Sequence, residues 1–365
     1  METRRDYLKK MGLGALALNI APVYSYANES IACLKPADAR KIYLNANENP
    51  YGPSPLARKA MVESVTKSNR YGWSQKPELI AAVAAYNKVS AENIMLGSGS
   101  TEILNLVLQY AAQQKGNIVT ADNTFNFWMS PAKTLGLEKI NVPLTANKEN
   151  DLTALKSAIT AETKLVYLCN PNNPTGTLCK REELIALVQE VSKNTLVLLD
   201  EAYIDLTDQE SLSSLVSKNQ NLIIAKTFSK LFGLAGARIG YAVAHGNTIK
   251  KLSSLQSWTN GAISVVSTAG ALASLKDVNF IEKTFLLNVE ARAYTIKEFE
   301  KLNIRCIPSN TNFIYFSLAN YTGQFFEQLK KHNIVGTRIY EKEGKWSRIT
   351  VGKLEDMKVL INALS

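Results

Sequence analysis

Five short runs in this chain are apolar on both parities: Ile118–Thr120, Leu165–Cys169, Leu196–Leu199, Leu222–Ala225 and Tyr241–Ala244. A strand with one wet face alternates, whereas a strand covered on both faces does not. Helical stretches such as Glu102–Ala112 and Arg181–Lys193 lie between the runs. That alternation predicts an α/β domain with a mostly parallel sheet between helical layers. Beyond about Asn260 the pattern changes. A long helical stretch, Phe280–Leu302, leads to strands at Thr311–Phe316 and Arg348–Val351, with a helix at Thr322–Asn333 between them. This reads as a smaller α+β domain, and 365 residues are enough for two domains sharing one site. The segment Tyr43–Pro55 is rich in Asn, Pro and Gly and reads as an extended loop.

The amino terminus reads as an address. Thr3-Arg4-Arg5 and Tyr7-Leu8-Lys9 precede a short apolar stretch, Met11 to about Val23, and Ser25-Tyr26-Ala27 supplies a cleavage site. The stretch is too short for a membrane span, which needs about 20 apolar residues. A basic start, short apolar middle and small-residue exit mark a signal peptide. The paired arginines resemble the twin-arginine (Tat) export signal of bacteria. The expected organisation is a signal at 1–27, an arm and loop at 28–60, a large domain at 61–265 and a small domain at 266–365. The expected location is the periplasm, or the cytoplasm if the segment is only an amphipathic arm.

The formal net charge of +10 is spread along the chain, without a basic run interleaved with aromatics. A basic enzyme surface that favours anionic substrates is expected, not nucleic-acid binding or stable membrane insertion. His245 and His332 are far apart, and Cys33, Cys169, Cys179 and Cys306 show no C-x-x-C spacing. No metal site is expected. Cys169 reads as a buried small hydrophobe, with a Cys169–Cys179 disulfide left open.

Polar clusters follow the strand runs, where ligands bind in sheets of this kind. Gly97-Ser98-Gly99-Ser100-Thr101-Glu102 opens a helix, and is either a plain N-cap or a phosphate cradle. Asn170-Pro-Asn-Asn173-Pro-Thr-Gly176, read alone, is a turn. Asp200-Glu201-Ala202-Tyr203 follows four apolar residues, so Asp200 is partly buried and needs a cationic partner. Thr227-Phe228-Ser229-Lys230 follows a fourth run, and Arg238 comes eight residues after Lys230.

Taken in order, N-P-T-G, D-E-A-Y and S-K with an arginine eight residues on resemble the fold-type I pyridoxal-phosphate (PLP) aminotransferases. Leu44–Pro55 and Trp346-Ser-Arg348-Ile-Thr-Val-Gly352 are similar to the histidinol-phosphate aminotransferase branch. The match runs from about residue 40 to the carboxyl terminus.

The resemblance implies that Lys230 carries the cofactor as a Schiff base and moves a proton once freed. Lys226 is the nearby rival. Asp200 would pair with the ring nitrogen, Asn173 and Tyr203 with the phenolic oxygen, and Phe125 would stack on the ring. Ser100, Thr101, Thr227, Ser229 and Arg238 would hold the phosphate. Tyr71 would reach it from a second copy, making a homodimer, although Tyr71-Gly72-Trp73 lacks the family's usual proline. Arg348 would take the substrate α-carboxylate, Arg338 a distal phosphate, and Tyr51 and Asn47 would line the substrate pocket. The implied reaction moves an amino group between an amino acid, or a histidinol-phosphate-like amine, and a 2-oxo acid. A PLP decarboxylase of the threonine-phosphate type and a non-catalytic PLP-binding relative stand as alternatives.

Overall fold

A computed structural model describes residues 41–257 and 263–365. The expected export signal, the first part of the arm and Cys33 lie outside the described residues. The strands, in chain order, are β1 (Ile42–Tyr43), β2 (Ile94–Gly97), β3 (Gly116–Ala121), β4 (Leu137–Val142), β5 (Thr163–Cys169), β6 (Leu196–Asp200), β7 (Leu222–Thr227), β8 (Gly240–Ala244), β9 (Arg305–Cys306), β10 (Phe313–Ser317), β11 (Ile334–Val335), β12 (Ile339–Glu341) and β13 (Trp346–Thr350). The α-helices are α1 (Pro55–Ser64), α2 (Gln75–Tyr86), α3 (Ser100–Ala111), α4 (Leu152–Ser157), α5 (Arg181–Val191), α6 (Gly246–Leu255), α7 (Val265–Lys276), α8 (Val278–Lys301), α9 (Phe325–Lys331) and α10 (Leu354–Leu364).

Seven strands form the central sheet in the order β2-β8-β7-β6-β5-β3-β4. Neighbours from β7 to β4 are parallel, while β8 runs antiparallel to both β7 and β2. The fold is thus α/β, with the mostly parallel sheet that the unalternating runs predict. Successive residues of each central strand enter opposite cores. Val166, Leu168, Val197, Leu199 and Ile224 pack on one face, and Leu165, Tyr167, Leu196, Leu198 and Ile223 on the other. Each fully buried side chain of this size is worth about 1.5–3 kcal/mol. Two buried faces therefore explain the apolar runs within these strands, and the buried Asp200 and Lys226 stand at or next to the carboxyl ends of β6 and β7.

A second, antiparallel sheet has the order β12-β13-β10-β9, and β1 pairs in parallel with β11. Its core joins Phe299 and Ala291 of α8, Ile314 and Phe316 of β10, and Met357 and Leu360 of α10. Helix α7 packs against α1 and α2. No described helix is long and apolar enough to cross a membrane. Cys169, Cys179 and Cys306 all carry free thiols, so the Cys169–Cys179 disulfide is not formed.

Candidate active site

Strand direction decides where the chemistry gathers. The carboxyl ends of β2, β3, β5, β6 and β7 share one rim of the central sheet. Antiparallel β8 starts at that same rim, which brings Arg238, just before it, beside them. A cavity of about 590 Å³ opens there. Its walls include Asn47, Ser100, Thr101, Phe125, Asn173, Asp200, Tyr203, Thr227, Ser229, Lys230, Arg238, Arg338 and Arg348. Segments from seven parts of the chain thus meet around one space.

Two expected residues stand apart from it. Tyr51 lies outside this cavity: it lines a smaller one on the other side of Lys230, with the Lys353 ammonium 5.6 Å from its ring centroid. Turn geometry at Asn49–Gly52 carries its side chain away, with the Tyr51 N–H bound to the Asn49 carboxamide. Tyr71 is 73% exposed in the loop before α2, its ring 5.6 Å from that of Trp73.

Lys230 and Lys226 part company clearly. Lys226 is buried outside the cavity and pairs with Asp205 at 3.0 Å. Burial works to lower its pKa, but Asp205, Tyr241 and Glu201 outweigh it and hold the ammonium well above its ordinary range. Lys230 opens into the cavity, with Nζ donating to the Asn47 carbonyl at 3.2 Å. Burial, then the Arg348 and Arg238 charges, pulls its pKa down to about 8, against the opposing pull of Glu48 and Asp200. An amine near 8 exchanges protons readily close to neutrality.

Asp200 ends β6 with 2% exposure. Its carboxylate accepts from the Ala202 N–H at 3.1 Å and the Tyr167 hydroxyl at 3.1 Å. No cation bonds to it among the described residues. Burial therefore lifts its pKa to about 6, despite those two hydrogen bonds and the charge of Lys230. A buried carboxyl facing a cavity without a contacting cation suits the protonated nitrogen of a pyridine ring.

The phosphate end is equally specific. The residue capping α3 is Gly99, with φ +77° and no side chain to occupy the first N–H groups. A glycine cap leaves those donors open. A Cβ on Gly99 would collide with the Arg238 guanidinium. Arg238 is itself left-handed, with φ +50°. The Thr227 hydroxyl bonds that of Ser229 at 2.9 Å beside them. Donors, a cation and a Cβ-free gap together fit a phosphate.

On the opposite wall, Arg348 Nη1 donates to Asn173 at 2.6 Å and Nη2 to the Asn45 carbonyl at 2.9 Å. Arg348 is 8% exposed, and its Nε has no hydrogen-bond partner among the described residues. Such a buried cation, held by neutral groups, has capacity for an incoming carboxylate. Asn47, at φ +53°, donates from its amide group to the Tyr203 hydroxyl at 3.0 Å, and the Asn173 amide donates to the same oxygen at 3.3 Å. Burial raises the Tyr203 pKa, against the Arg348 charge and the Asn47 hydrogen bond, so the phenol stays protonated. Phe125 lies on the wall with its carbonyl bonded by Trp128.

Other wall residues are not among the expected site residues: Glu48, inside the Leu44–Pro55 motif, and Asn123, Phe127 and Tyr340. Phe127 and Tyr340 each stand two residues beyond an expected site residue, and that spacing is the only hint the sequence offers. The Tyr340 ring centroid is 5.3 Å from the guanidinium carbons of both Arg338 and Arg348. Arg338 also faces the Phe127 ring at 5.7 Å. No cluster of three or more His, Cys, Asp or Glu that could hold a metal occurs among the described residues.

Comparison with known proteins places the chain in one family. Residues 39–364 match the family model described as aminotransferase class I and II. The chain is 36% identical over 328 residues to the histidinol-phosphate aminotransferase of Moorella thermoacetica, covering 88% of this chain and 84% of that one. It superposes with TM-score 0.82 and 26% identity on histidinol-phosphate aminotransferase from Sinorhizobium meliloti in complex with pyridoxal-5'-phosphate, covering 93% and 97% of the two chains. L-threonine-O-3-phosphate decarboxylase from Porphyromonas gingivalis shares the fold, with TM-score 0.71 at 22% identity over 88% and 98% of the two chains. The chain belongs to the class I and II aminotransferases, enzymes dependent on pyridoxal phosphate.

Proposed function

We propose that this aminotransferase moves an amino group between a 2-oxo acid and an amine of the amino-acid or histidinol-phosphate class, with Lys230 as the catalytic residue. The observation that carries the reading is the placement of Lys230 between the Asp200 carboxyl and the Arg348 guanidinium in one cavity. Bound there, pyridoxal phosphate supplies an electron sink for charge developing at the substrate Cα. Lys230 Nζ anchors the cofactor and, when freed, carries a proton to and from that carbon. Asp200 holds a proton on the ring nitrogen. Asn173 and Tyr203 donate to the phenolic oxygen, and Phe125 covers a ring face. The N–H groups of Ser100 and Thr101, the Thr227 and Ser229 hydroxyls and Arg238 grip the phosphate. Arg348 orients the α-carboxylate, and Asn47 ties the covering loop to Lys230 and Tyr203.

Arg338 sits with Tyr340 and Phe127 on the cavity wall, fit for an anion at the far end of the substrate. Four cationic residues on the wall, Lys230, Arg238, Arg338 and Arg348, face only two acids, Glu48 and Asp200. That balance draws anionic substrates.

Purified enzyme should be assayed with 2-oxoglutarate and two donors, histidinol phosphate and a neutral aromatic amino acid. Arg348→Ala should lower kcat/KM about ten- to hundred-fold or more for both, since each charge-assisted bidentate contact is worth roughly 1.5–3 kcal/mol. Arg338→Ala should impair histidinol phosphate alone. If Arg338→Ala changes neither donor while the parent prefers the neutral one, the phosphorylated-amine class is wrong. If carbon dioxide is released instead of an amino group transferred, the reaction itself is wrong.

Two wider features belong to the same proposal. A homodimer, with Tyr71 reaching the partner's phosphate site, is supported by the exposure of Tyr71 and Trp73 outside their own cavity. Export by the Tat route is supported by Arg4-Arg5 and the apolar stretch after them.

A further inference from the structure

Glu341 is the meeting point of three segments distant in sequence. Its Oε1 accepts from the Tyr315 hydroxyl at 2.6 Å and from the Asn123 amide at 2.8 Å. Its Oε2 accepts from Lys148 Nζ at 2.6 Å. The two charged side chains are only 20% and 28% exposed, so water screens the pair far less than an open surface bridge. Burial opposes ionisation, but the three donors win and hold the Glu341 pKa below its usual range.

Each donor has its own support. Asn123 stands on the rim loop after β3, two residues before Phe125, and its carbonyl accepts from the Asn172 amide. Tyr315 stacks on Trp346, with centroids 5.3 Å apart and planes 11° apart, and it lies opposite Arg348 in the strand register. Lys148 has φ +62° and also lies 5.1 Å from the Trp346 ring centroid.

What Glu341 anchors is the strand that faces the substrate. β12 is an edge strand, and its pairing with β13 slips between Ile339 and Glu341. A slip of this kind re-aims the residue inside it. That residue is Tyr340, whose ring lies between Arg338 and Arg348. Edge pairing with a slip holds a strand loosely, so a second fastening is needed to fix where Tyr340 and Arg338 stand.

We propose that Glu341 is a positioning residue that latches β12 onto the rim of the central sheet through Asn123 and Lys148, and onto β10 through Tyr315, and so sets how tightly the far end of the substrate is held. The inference rests on the amino-transfer reading above and names a specificity determinant for that site. Glu341 is not among the residues lining the cavity. The latch acts on the far end of the substrate through Arg338, with Tyr340 packed beside it; Arg348 is held independently by Asn173 and the Asn45 carbonyl, so a short donor that does not reach Arg338 is little affected.

The test uses the cofactor-loaded enzyme and three variants, Glu341→Gln, Tyr315→Phe and Lys148→Met. KM and kcat are measured for a long donor and for the shortest donor the parent accepts. Hydrogen exchange is followed in peptides covering 337–347 and 222–230. KM for the long donor should rise about five- to ten-fold, less than the roughly ten- to hundred-fold of a lost charge-assisted contact, because Arg338 is misplaced and not removed. KM for the short donor and every kcat should stay within about two-fold. Exchange in 337–347 should quicken about ten-fold, with 222–230 unchanged. A proportional fall in kcat for all donors would reveal a general structural role and overturn the proposal. Unchanged exchange in 337–347 would overturn it too. Should Glu341→Gln fail to fold, Tyr315→Phe decides, because it keeps the stacked ring and deletes one hydroxyl. If the parent transfers no amino group, the functional reading falls, and exchange alone still decides the latch.

Discussion

Replacing Asp200 by Asn should stabilise the cofactor-free protein while crippling the loaded enzyme. Asp200 is buried at the end of β6, and no cation contacts it among the described residues. In the unfolded chain its carboxyl ionises near 3.8, whereas in the fold it keeps its proton up to about 6. At ~1.4 kcal/mol per pH unit, that difference penalises the folded, ionised state by about 3 kcal/mol. Between the two values the native state binds the extra proton, so stability falls as pH rises and the full deficit is present above about 6. Asn cannot ionise and escapes the penalty. Urea unfolding of both cofactor-free proteins should therefore favour Asp200→Asn by up to about 3 kcal/mol at pH 8, and by about half as much at pH 5. In the loaded enzyme the ring cation supplies the missing partner, and the carboxylate becomes an asset. Turnover of Asp200→Asn should drop about a hundred-fold or more. A stability gap independent of pH, or near-parental kcat in the variant, would refute the reasoning.

Lys230 offers a second pH signature. With its pKa at about 8, the neutral amine grows with pH up to that point, so covalent cofactor uptake by the stripped protein should accelerate and level off near 8. A plateau reached only above 10 would contradict the effect of burial, and borohydride labelling on Lys226 would contradict the assignment. Gly99→Ala should weaken cofactor retention about ten-fold or more, since its Cβ meets Arg238 and its φ of +77° strains any L side chain; equilibrium dialysis with pyridoxal phosphate checks this, and unchanged affinity would remove the cradle. Changing Arg4 and Arg5 together to Lys should keep the protein in the cytoplasm while the parent reaches the periplasm, and identical fractionation of both would end the export reading.

Much of the fold is visible in the sequence because burial on two faces leaves an unmistakable pattern. β5, β6, β7 and β8 carry that pattern, and so does the middle of β3. β4 does not: it is an edge strand, buried only at Leu137 and Val142, with Glu138, Lys139, Ile140 and Asn141 exposed. β2 has four buried residues but is too short to distinguish from a helix end. Nor does any local signal give the reversed direction of β8, on which the place of Arg238 depends. Within the site, Lys230 and Asp200 are legible because the chemistry requires those residue types just after strands. Tyr340 between two arginines and the carboxylate of Glu341 are not legible, because their partners lie far off in sequence and meet only when the two sheets come together.

The loop around Asn47 has a consequence for how this protein comes into being. Asn45 accepts from Arg348, and the Asn47 N–H bonds the Thr350 hydroxyl, each across 303 positions of the chain. The Asn47 carbonyl, so placed, is what Lys230 Nζ bonds. A nascent chain therefore lacks one wall of its own cavity until Arg348 and Thr350 have been made. Contacts of such long separation also form late in folding. Capture of the cofactor then waits for those residues, and the yellow colour of the loaded protein would report that the two distant segments have met.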